Sequence, residues 1–540
     1  MTHVITQPCC NDATCIAVCP VACIHPTPDE PGYATAEMLY IDPKTCIDCG
    51  ACIDVCPVEA ILPDSDLTPD NRVYLELNSA HYEGRSYLTV VPPAVAKSPG
   101  TEDVLRVAIV GSGPAAMYTA DELLSRRDLA VEVHVFEKLP APWGLVRYGV
   151  APDHPGTKEV AKLFKKTASK KGFTFHLNTT VGEHVSLAEL REHVHAVVYA
   201  VGAPHDRPLS IPGEELSRSA TDFVAWYNGH PSAAHLTFDL SHERVVVVGN
   251  GNVALDVARV LLSDPDDLAR TDIADHALAA LRESKVREVV VVGRRGVGQA
   301  AFTTPELLGL RGARAFDVVA DPAETAVDEA TLAHWKDAPD PIAAMKARLL
   351  SDLDASTEHR SLRLRFGWSP EEVVEGSIRL RRNDLSYEGS SVRAVPSDET
   401  VDLTCGLVLR AAGYHGAPVA DLPFDAATGT VPHVAGRVEA GVYVAGWVKR
   451  GPSGVIGTNK WDAAETVRSL LEDRAVLPAP TGSSEDLVAL LDERRPARMS
   501  GKDWQALDAH ERFLARGTGR PRVKLVDVEA MLDVVKQART

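Results

Sequence analysis

The sequence predicts an α+β N-terminal module joined to an α/β body that holds two dinucleotide-binding folds. Three observations predict it. Nine of the ten cysteines lie before residue 57, in two runs that each end in Cys-Pro. Two apolar strands, near 105–110 and 244–248, each run into G-x-G-x-x-A and then a helical stretch. A third apolar strand near 442 ends in Gly446-Trp447 and feeds another glycine-rich turn, as though the first fold resumed after an interruption.

The second cysteine run is Cys46-Ile-Asp-Cys49-Gly-Ala-Cys52-Ile-Asp-Val-Cys56-Pro57. This C-x-x-C-x-x-C-x-x-x-C-P spacing brings soft thiolates together in one tight loop, as an iron–sulfur cluster requires, and the fourth Cys of such a run ligates a second cluster. The first run, Cys9, Cys15 and Cys19-Pro20, supplies that second cluster but carries Asp12 where its middle Cys would fall. In the crossed pattern Cys19, Cys46, Cys49 and Cys52 hold one [4Fe–4S] cluster. Cys9, Cys15 and Cys56 hold the other, which is [3Fe–4S], or [4Fe–4S] with Asp12 or Cys10 as a labile ligand. Cys10 and Cys23 are left over. A disulfide framework or a zinc site is the competing reading, disfavoured because a chain of this length needs no staples and zinc sites rarely run four Cys so closely before a Pro.

A chain of 540 residues exceeds a single core, so two to four domains are expected. No stretch approaches about 18 consecutive apolar residues, and the N-terminus lacks a signal-peptide layout, so no membrane span and a cytoplasmic location are expected. The net charge of −19 argues against nucleic-acid binding. Residues 1–98 hold thirteen Asp/Glu against four Lys/Arg, a bias that suits docking on a basic partner face as well as plain solubility.

The expected organisation follows the chain: 1–60 the cluster module; 61–103 an extension and linker ending in Pro92–Thr101; 104–205 the first part of one nucleotide domain; 206–405 a second, inserted nucleotide domain; 406–475 the return of the first; 476–540 a C-terminal extension.

Leu105–Val110 leads into Gly111-Ser-Gly113-Pro-Ala-Ala116, where the glycines permit a tight turn and close approach of a pyrophosphate to the helix N-terminus. The next strand ends in Glu137, an acid placed to take the free hydroxyls of an adenosine ribose, which suits FAD. In the second copy, Gly249-Asn-Gly251-Asn-Val-Ala254, the following strand ends in Arg294-Arg295. Guanidinium groups there bind the 2′-phosphate of NADP(H), unless they mark only a solvated loop end. Gly451-Pro-Ser-Gly454-Val-Ile-Gly-Thr-Asn, followed by a helix from about Asp462, offers backbone N–H groups to a flavin edge, which makes the FAD domain discontinuous with the NADP domain inserted.

From residue 104 onward the chain resembles the adrenodoxin-reductase-type ferredoxin–NADP reductases. The carrying residues are Gly111-Ser-Gly-Pro, the long string Pro142-Trp-Gly-Leu-Val-Arg-Tyr-Gly-Val-Ala-Pro-Asp-His154-Pro, Gly249 to Asp256, Gly293-Arg-Arg and Gly446 to Asn459. Residues 1 to about 60 resemble a seven- or eight-iron bacterial ferredoxin, and the whole resembles the actinobacterial fusions of the two. The fold implied is a ferredoxin-like α+β module followed by two Rossmann-type domains. The resemblance implies that Ala115, Glu137, Leu145 and Val181 contact FAD, with Trp447, Gly454, Val455 and Ile456 closing over the flavin. It implies that Asn250, Gly251, Asn252 and Val253 receive the NADP pyrophosphate, with Arg207 near that site. Glu306 and Gly454 would lie near the nicotinamide, and His154 near the flavin, with or without a proton role. One departure stands out: relatives carry another acid a few residues after Glu306, where this chain reads Leu307-Leu-Gly309-Leu.

The activity implied is transfer of electrons from NADPH through FAD to the fused clusters, to an external ferredoxin, or to an acceptor such as a haem monooxygenase. Two other readings share some of these parts: an electron-input subunit of a larger oxidoreductase, and a redox sensor with a labile cluster. A disulfide oxidoreductase would need a redox Cys pair beside the flavin, and after residue 56 only Cys405 remains.

Overall fold

In the computed structural model, residues 2–85, 87, 104–388 and 391–540 are described. The proposed linker Pro92–Thr101, and Leu88–Val91 before it, lie outside them.

The N-terminal module is built from two short antiparallel pairs, His3–Ile5 with Ile61–Pro63 and Ile24–His25 with Tyr40–Ile41. The helix Val73–Ala80 packs on both through Asn78, which is 2% exposed. Its Oδ1 accepts from Ile5 N (3.3 Å) and Ile41 N (2.9 Å), and its Nδ2 donates to Ile5 O (2.9 Å). One buried amide thus satisfies backbone groups of both strand pairs, a set of bonds that would be costly to leave unmade. The module boundary expected at residue 60 therefore moves: the strand Ile61–Pro63 closes its sheet and the Val73 helix covers it.

The body contains two six-stranded sheets. In spatial order the first is Arg437–Glu439, Val442–Val444, Ala196–Tyr199, Leu105–Val110, Val131–Glu137 and Phe173–Leu177, parallel except for the edge strand Arg437–Glu439. The late strand Val442–Val444 pairs within this sheet, beside Ala196–Tyr199. The second is Arg218–Ser219, Leu407–Arg410, Arg244–Val248, Glu288–Gly293, Ser361–Phe366 and Asp317–Ala320, all parallel. Both central strands are largely apolar because both faces of each sheet are covered, with the antiparallel meander described below packing on one face of the second. The boundary drawn at 405 is corrected here: Leu407–Arg410 pairs with Arg244–Val248 inside the second sheet. A three-stranded antiparallel meander, Trp368–Val374, Ser377–Glu388 and Ser391–Thr404, flanks it.

The helix expected from about Asp462 begins at Thr458 and runs to Glu472. The C-terminal segment forms three helices, Ser484–Arg494, Gly501–Leu514 and Val528–Arg539, the first two opened by Ser capping boxes. Between them, Met499 exchanges backbone hydrogen bonds with Leu177 (2.9 and 3.0 Å) at the edge of the first sheet.

Candidate cofactor-binding site

Eight of the module's cysteines line two separate cavities, and Cys10 lies in one of them with its neighbours. One cavity is lined by Cys9, Cys10, Asp12, Cys15 and Cys56 among apolar residues; the other by Cys19, Cys23, Cys46, Cys49 and Cys52, with His3. The division follows the crossed pattern of the two runs. Burial pushes the Cys9 thiol up to about 12 and Cys52 up to about 11, and raises Cys10 and Cys15 strongly. Thiols packed together in low dielectric ionise only when a cation compensates them, so this donor set fits iron. Backbone N–H groups already face the sulfurs: Ala60 N donates to Cys56 Sγ (3.2 Å) and Cys23 N to Cys19 Sγ (3.4 Å). Asp12 is partly engaged elsewhere, its Oδ1 accepting from Thr14 N (3.3 Å) and its Oδ2 from the Thr14 hydroxyl.

The first glycine turn is formed as its residues require. Gly111 has φ +106°, and a Cβ there would lie 2.5 Å from Ala200 O. Gly113 caps the helix Pro114–Leu124. Glu137 ends its strand buried, Oε2 accepting from Ser112 Oγ (2.6 Å) and Oε1 from Leu139 N (3.0 Å). Burial raises its carboxyl, while the Ser112 bond opposes that. The late turn meets this first one. A Cβ on Gly446 (φ +80°) would lie 2.6 Å from Ala115 Cβ, so two segments 331 residues apart form one backbone cradle. Leu145 is 40% exposed beside otherwise buried neighbours, and Val181 is half-buried.

Trp447 is half-buried, its ring 5.1 Å from that of Tyr414 and its Nε1 donating to Ser453 O (3.1 Å). Thr458 and Asn459 pin the Gly454–Ile456 turn: Val455 N donates to Thr458 Oγ1 (3.1 Å) and Asn459 Nδ2 to Ile456 O (2.9 Å).

In the second turn Gly249 has φ +118°, and a Cβ there would lie 2.2 Å from Ala411 O; nothing lies within 4 Å of a Cβ on Gly251. Asn250 packs over Gly293, next to Arg294. The Asn252 side chain is committed to the next loop, accepting from Thr303 N (2.8 Å) and donating to Thr303 Oγ1 (3.3 Å). Val253 is half-buried behind it. Arg294 is exposed and Arg295 half-buried, and neither guanidinium has an acidic partner among the described residues. Burial, then the adjacent Arg294, lower the Arg295 guanidinium, an arrangement that an anion would relieve. Arg207 is also exposed, its Nε donating to Tyr414 O (3.3 Å).

His154 and Glu306 do come together, with His154 Nδ1 3.9 Å from Glu306 Oε1. Around them lies a cluster that sequence reasoning missed. Arg259 contacts Asp153 (2.7 Å), Asp256 (2.6 Å) and Glu306 (3.5 Å). Burial, then the Asp256 carboxylate, push Glu306 up. Burial would also raise Asp153, yet Arg259 holds it below the usual carboxylate range. The i,i+3 pair Asp256/Arg259 on the helix after the second turn was the available signal.

The pyridine nucleotide-disulphide oxidoreductase family model matches residues 105–295, and the 4Fe-4S binding domain model matches residues 39–62. The chain is 49% identical, over 100% of its own length and 96% of theirs, to proteins of Mycobacterium bovis and Mycobacterium tuberculosis named probable ferredoxin/ferredoxin–NADP reductase. The structure of Mycobacterium tuberculosis FprA in complex with NADPH superposes with a TM-score of 0.76 at 45% identity, covering 80% of this chain and 100% of that one. Fold and site together define a pyridine-nucleotide oxidoreductase that carries an iron–sulfur module. More particularly, the chain belongs to the ferredoxin/ferredoxin–NADP reductase family. Disulfide chemistry does not follow from the first model's description: Cys405 is buried, its thiol pushed up to about 11 by burial, with no second Cys in the body.

Proposed function

We propose that this chain is a reversible ferredoxin–NADP+ reductase: it oxidises NADPH and delivers single electrons to two iron–sulfur clusters in its own module and onward to an external ferredoxin or a haem monooxygenase. The observation that carries the reading is the contrast between the two strand ends, a buried acid at Glu137 and an unpaired guanidinium pair at Arg294 and Arg295. The first suits FAD and the second NADP(H), so the two sheets are read as Rossmann-type FAD and NADP domains.

FAD, when bound, supplies the exchange between a two-electron hydride and single electrons. The protein's part is placement. Gly111, Gly113 and Ala115 would let a pyrophosphate approach the Pro114 helix, and Glu137 would hold the ribose. Leu145 and Val181 offer apolar contact, and Trp447 with the Gly454–Ile456 turn would exclude water from the ring edge. The backbone at Asn250–Val253 would take the second pyrophosphate, and Arg294, Arg295 and Arg207 the remaining anionic charge. Glu306, held up by burial, and His154 beside it could keep a proton near the nicotinamide while Arg259 fixes the acid's position. Cys9, Cys15 and Cys56 would hold one cluster, with Asp12 or Cys10 completing it or leaving it [3Fe–4S]. Cys19, Cys46, Cys49 and Cys52 would hold a [4Fe–4S] cluster. Among the described residues no helix is long and apolar enough to cross a membrane. The exposed thiol of Cys49 suits a reducing compartment, which supports a cytoplasmic location.

The test is an electron paramagnetic resonance spectrum of anaerobically purified protein before and after NADPH alone. Reduced-cluster signals are expected after NADPH; clusters that stay oxidised while the flavin bleaches would refute internal transfer.

A further inference from the structure

The N-terminal module touches the body through one of its two cysteine cavities. Cys10 O accepts from Gly457 N (2.6 Å), directly after the Gly454–Ile456 turn. A Cβ on Gly457 would lie 2.2 Å from Asp12 N, so only glycine allows this approach. Lys460, on the helix that follows, donates to Thr14 Oγ1 (2.8 Å). A latch on the same side holds the module in place. Glu37 Oε1 accepts from Lys346 Nζ (2.6 Å), and its Oε2 accepts from Thr304 N (2.6 Å) at the start of the helix bearing Glu306. Lys346 is 7% exposed and also donates to Phe302 O (2.7 Å), so removing Glu37 would leave a buried ammonium without its acidic partner. Glu76 adds an ion pair with Arg348.

The other cavity faces away. Among the described residues, 46–54 make no hydrogen bond or ion pair to the body, Cys49 is exposed and Ile47 is 58% exposed. Electron transfer weakens steeply with distance, so the two cavities are not equivalent.

We propose that the docked module is a directional relay: the Cys9/Cys15/Cys56 cavity is the inlet from the flavin side, the Cys19/Cys46/Cys49/Cys52 cavity is the outlet to external acceptors, and Glu37–Lys346 holds the inlet in register. This rests on the reductase reading above. One NADPH yields NADP+, a proton and two electrons; the electrons pass singly through the inlet and leave singly from the outlet to two one-electron acceptors. A free ferredoxin would therefore collect electrons at the outlet and not at the flavin, since residues 10–12 of the module sit against Gly457, directly after the Gly454–Ile456 turn.

The test is anaerobic rapid-freeze paramagnetic resonance of the holoenzyme after mixing with NADPH. In Cys49→Ser the inlet signal should still appear, while delivery to added ferredoxin falls. In Cys56→Ser the outlet signal should form at least about tenfold more slowly; an outlet signal at the wild-type rate would overturn the order of the relay. Because Cys variants can lose their clusters, a charge swap provides a second test. Glu37→Lys should slow cluster reduction by about tenfold or more and enlarge the radius of gyration in solution scattering, and Glu37→Lys with Lys346→Glu should restore both. Unchanged rate and radius in Glu37→Lys would overturn the latch. If NADPH fails to reduce the flavin of the wild-type protein, the reductase reading itself fails instead.

Discussion

Arg147 and Glu511 form a buried bidentate pair: Nη1 lies 3.0 Å from Oε2 and Nη2 2.5 Å from Oε1, with the Glu511 side chain wholly buried. Arg147 belongs to the Trp143–Pro155 string and Glu511 to the second tail helix. Arg522 (3.0 Å) and Leu525 N (3.0 Å) also donate to Glu511. The tail reaches the second sheet's half as well, through Lys524 with Asp272 (3.0 Å) and Arg520 with Thr271 O (3.1 Å). It therefore straps both halves of the body.

Removing one partner of such a pair leaves an uncompensated buried charge. Glu511→Ala should destabilise the body by about 3–5 kcal/mol. Urea unfolding followed by circular dichroism measures this; a loss below about 1 kcal/mol, the range of an exposed pair, would contradict the account.

The two glycines of the second turn should separate folding from binding. Gly249→Ala meets Ala411 O at 2.2 Å with φ +118° and should lower the melting midpoint. Gly251→Ala meets no protein atom within 4 Å. It should leave melting unchanged yet weaken NADPH binding by about tenfold or more, because only a close-lying phosphate would meet the new methyl group. Calorimetric titration with NADPH decides it; unchanged affinity would remove the pyrophosphate from this turn.

If Arg294 and Arg295 hold the 2′-phosphate, replacing both with Ala should raise KM for NADPH by about 10- to 100-fold, the worth of hydrogen bonds to a charged group. KM for NADH should hardly change. Parallel steady-state assays with the two nucleotides and ferricyanide provide the readout.

His134 and His176 stack at the sheet edge, Nδ1 to Nε2 at 3.0 Å, and burial lowers both, His134 to about 4. The unfolded chain binds protons there that the folded chain refuses, so stability rises with pH across the window from about 4 to 6.5. Acidification through that window should cost roughly 3 kcal/mol from His134 alone. His134→Gln should flatten the pH dependence; an equally steep profile in that variant would place the effect elsewhere.

The glycine turns, the positions of the acid and the arginines at their strand ends, and the grouping of the cysteines around two cavities were legible because each is a local pattern with a fixed spacing. Glu137 is buried where its strand ends, and the return strand Val442–Val444 pairs with Ala196–Tyr199 as a resumed fold requires. The Asp153–Arg259–Asp256–Glu306 cluster was not legible as a unit, because segments about a hundred residues apart meet only after both sheets form. The edge at 405 was misplaced because Leu407–Arg410 reads like any buried parallel strand, and nothing local says which sheet it joins. Glu37 and Lys346, 309 residues apart, carried no signal at all.

That last contact constrains how the two parts can be inherited. A different ferredoxin grafted onto the reductase could match its iron chemistry and still leave Lys346 facing Phe302 O without a counter-charge. A replacement module would need an acid at position 37 to meet Lys346, and a backbone at residues 10–12 that accepts the close approach of Gly457. The reductase surface thus selects its module by charge and by backbone shape together, and a transplanted module would have to satisfy both.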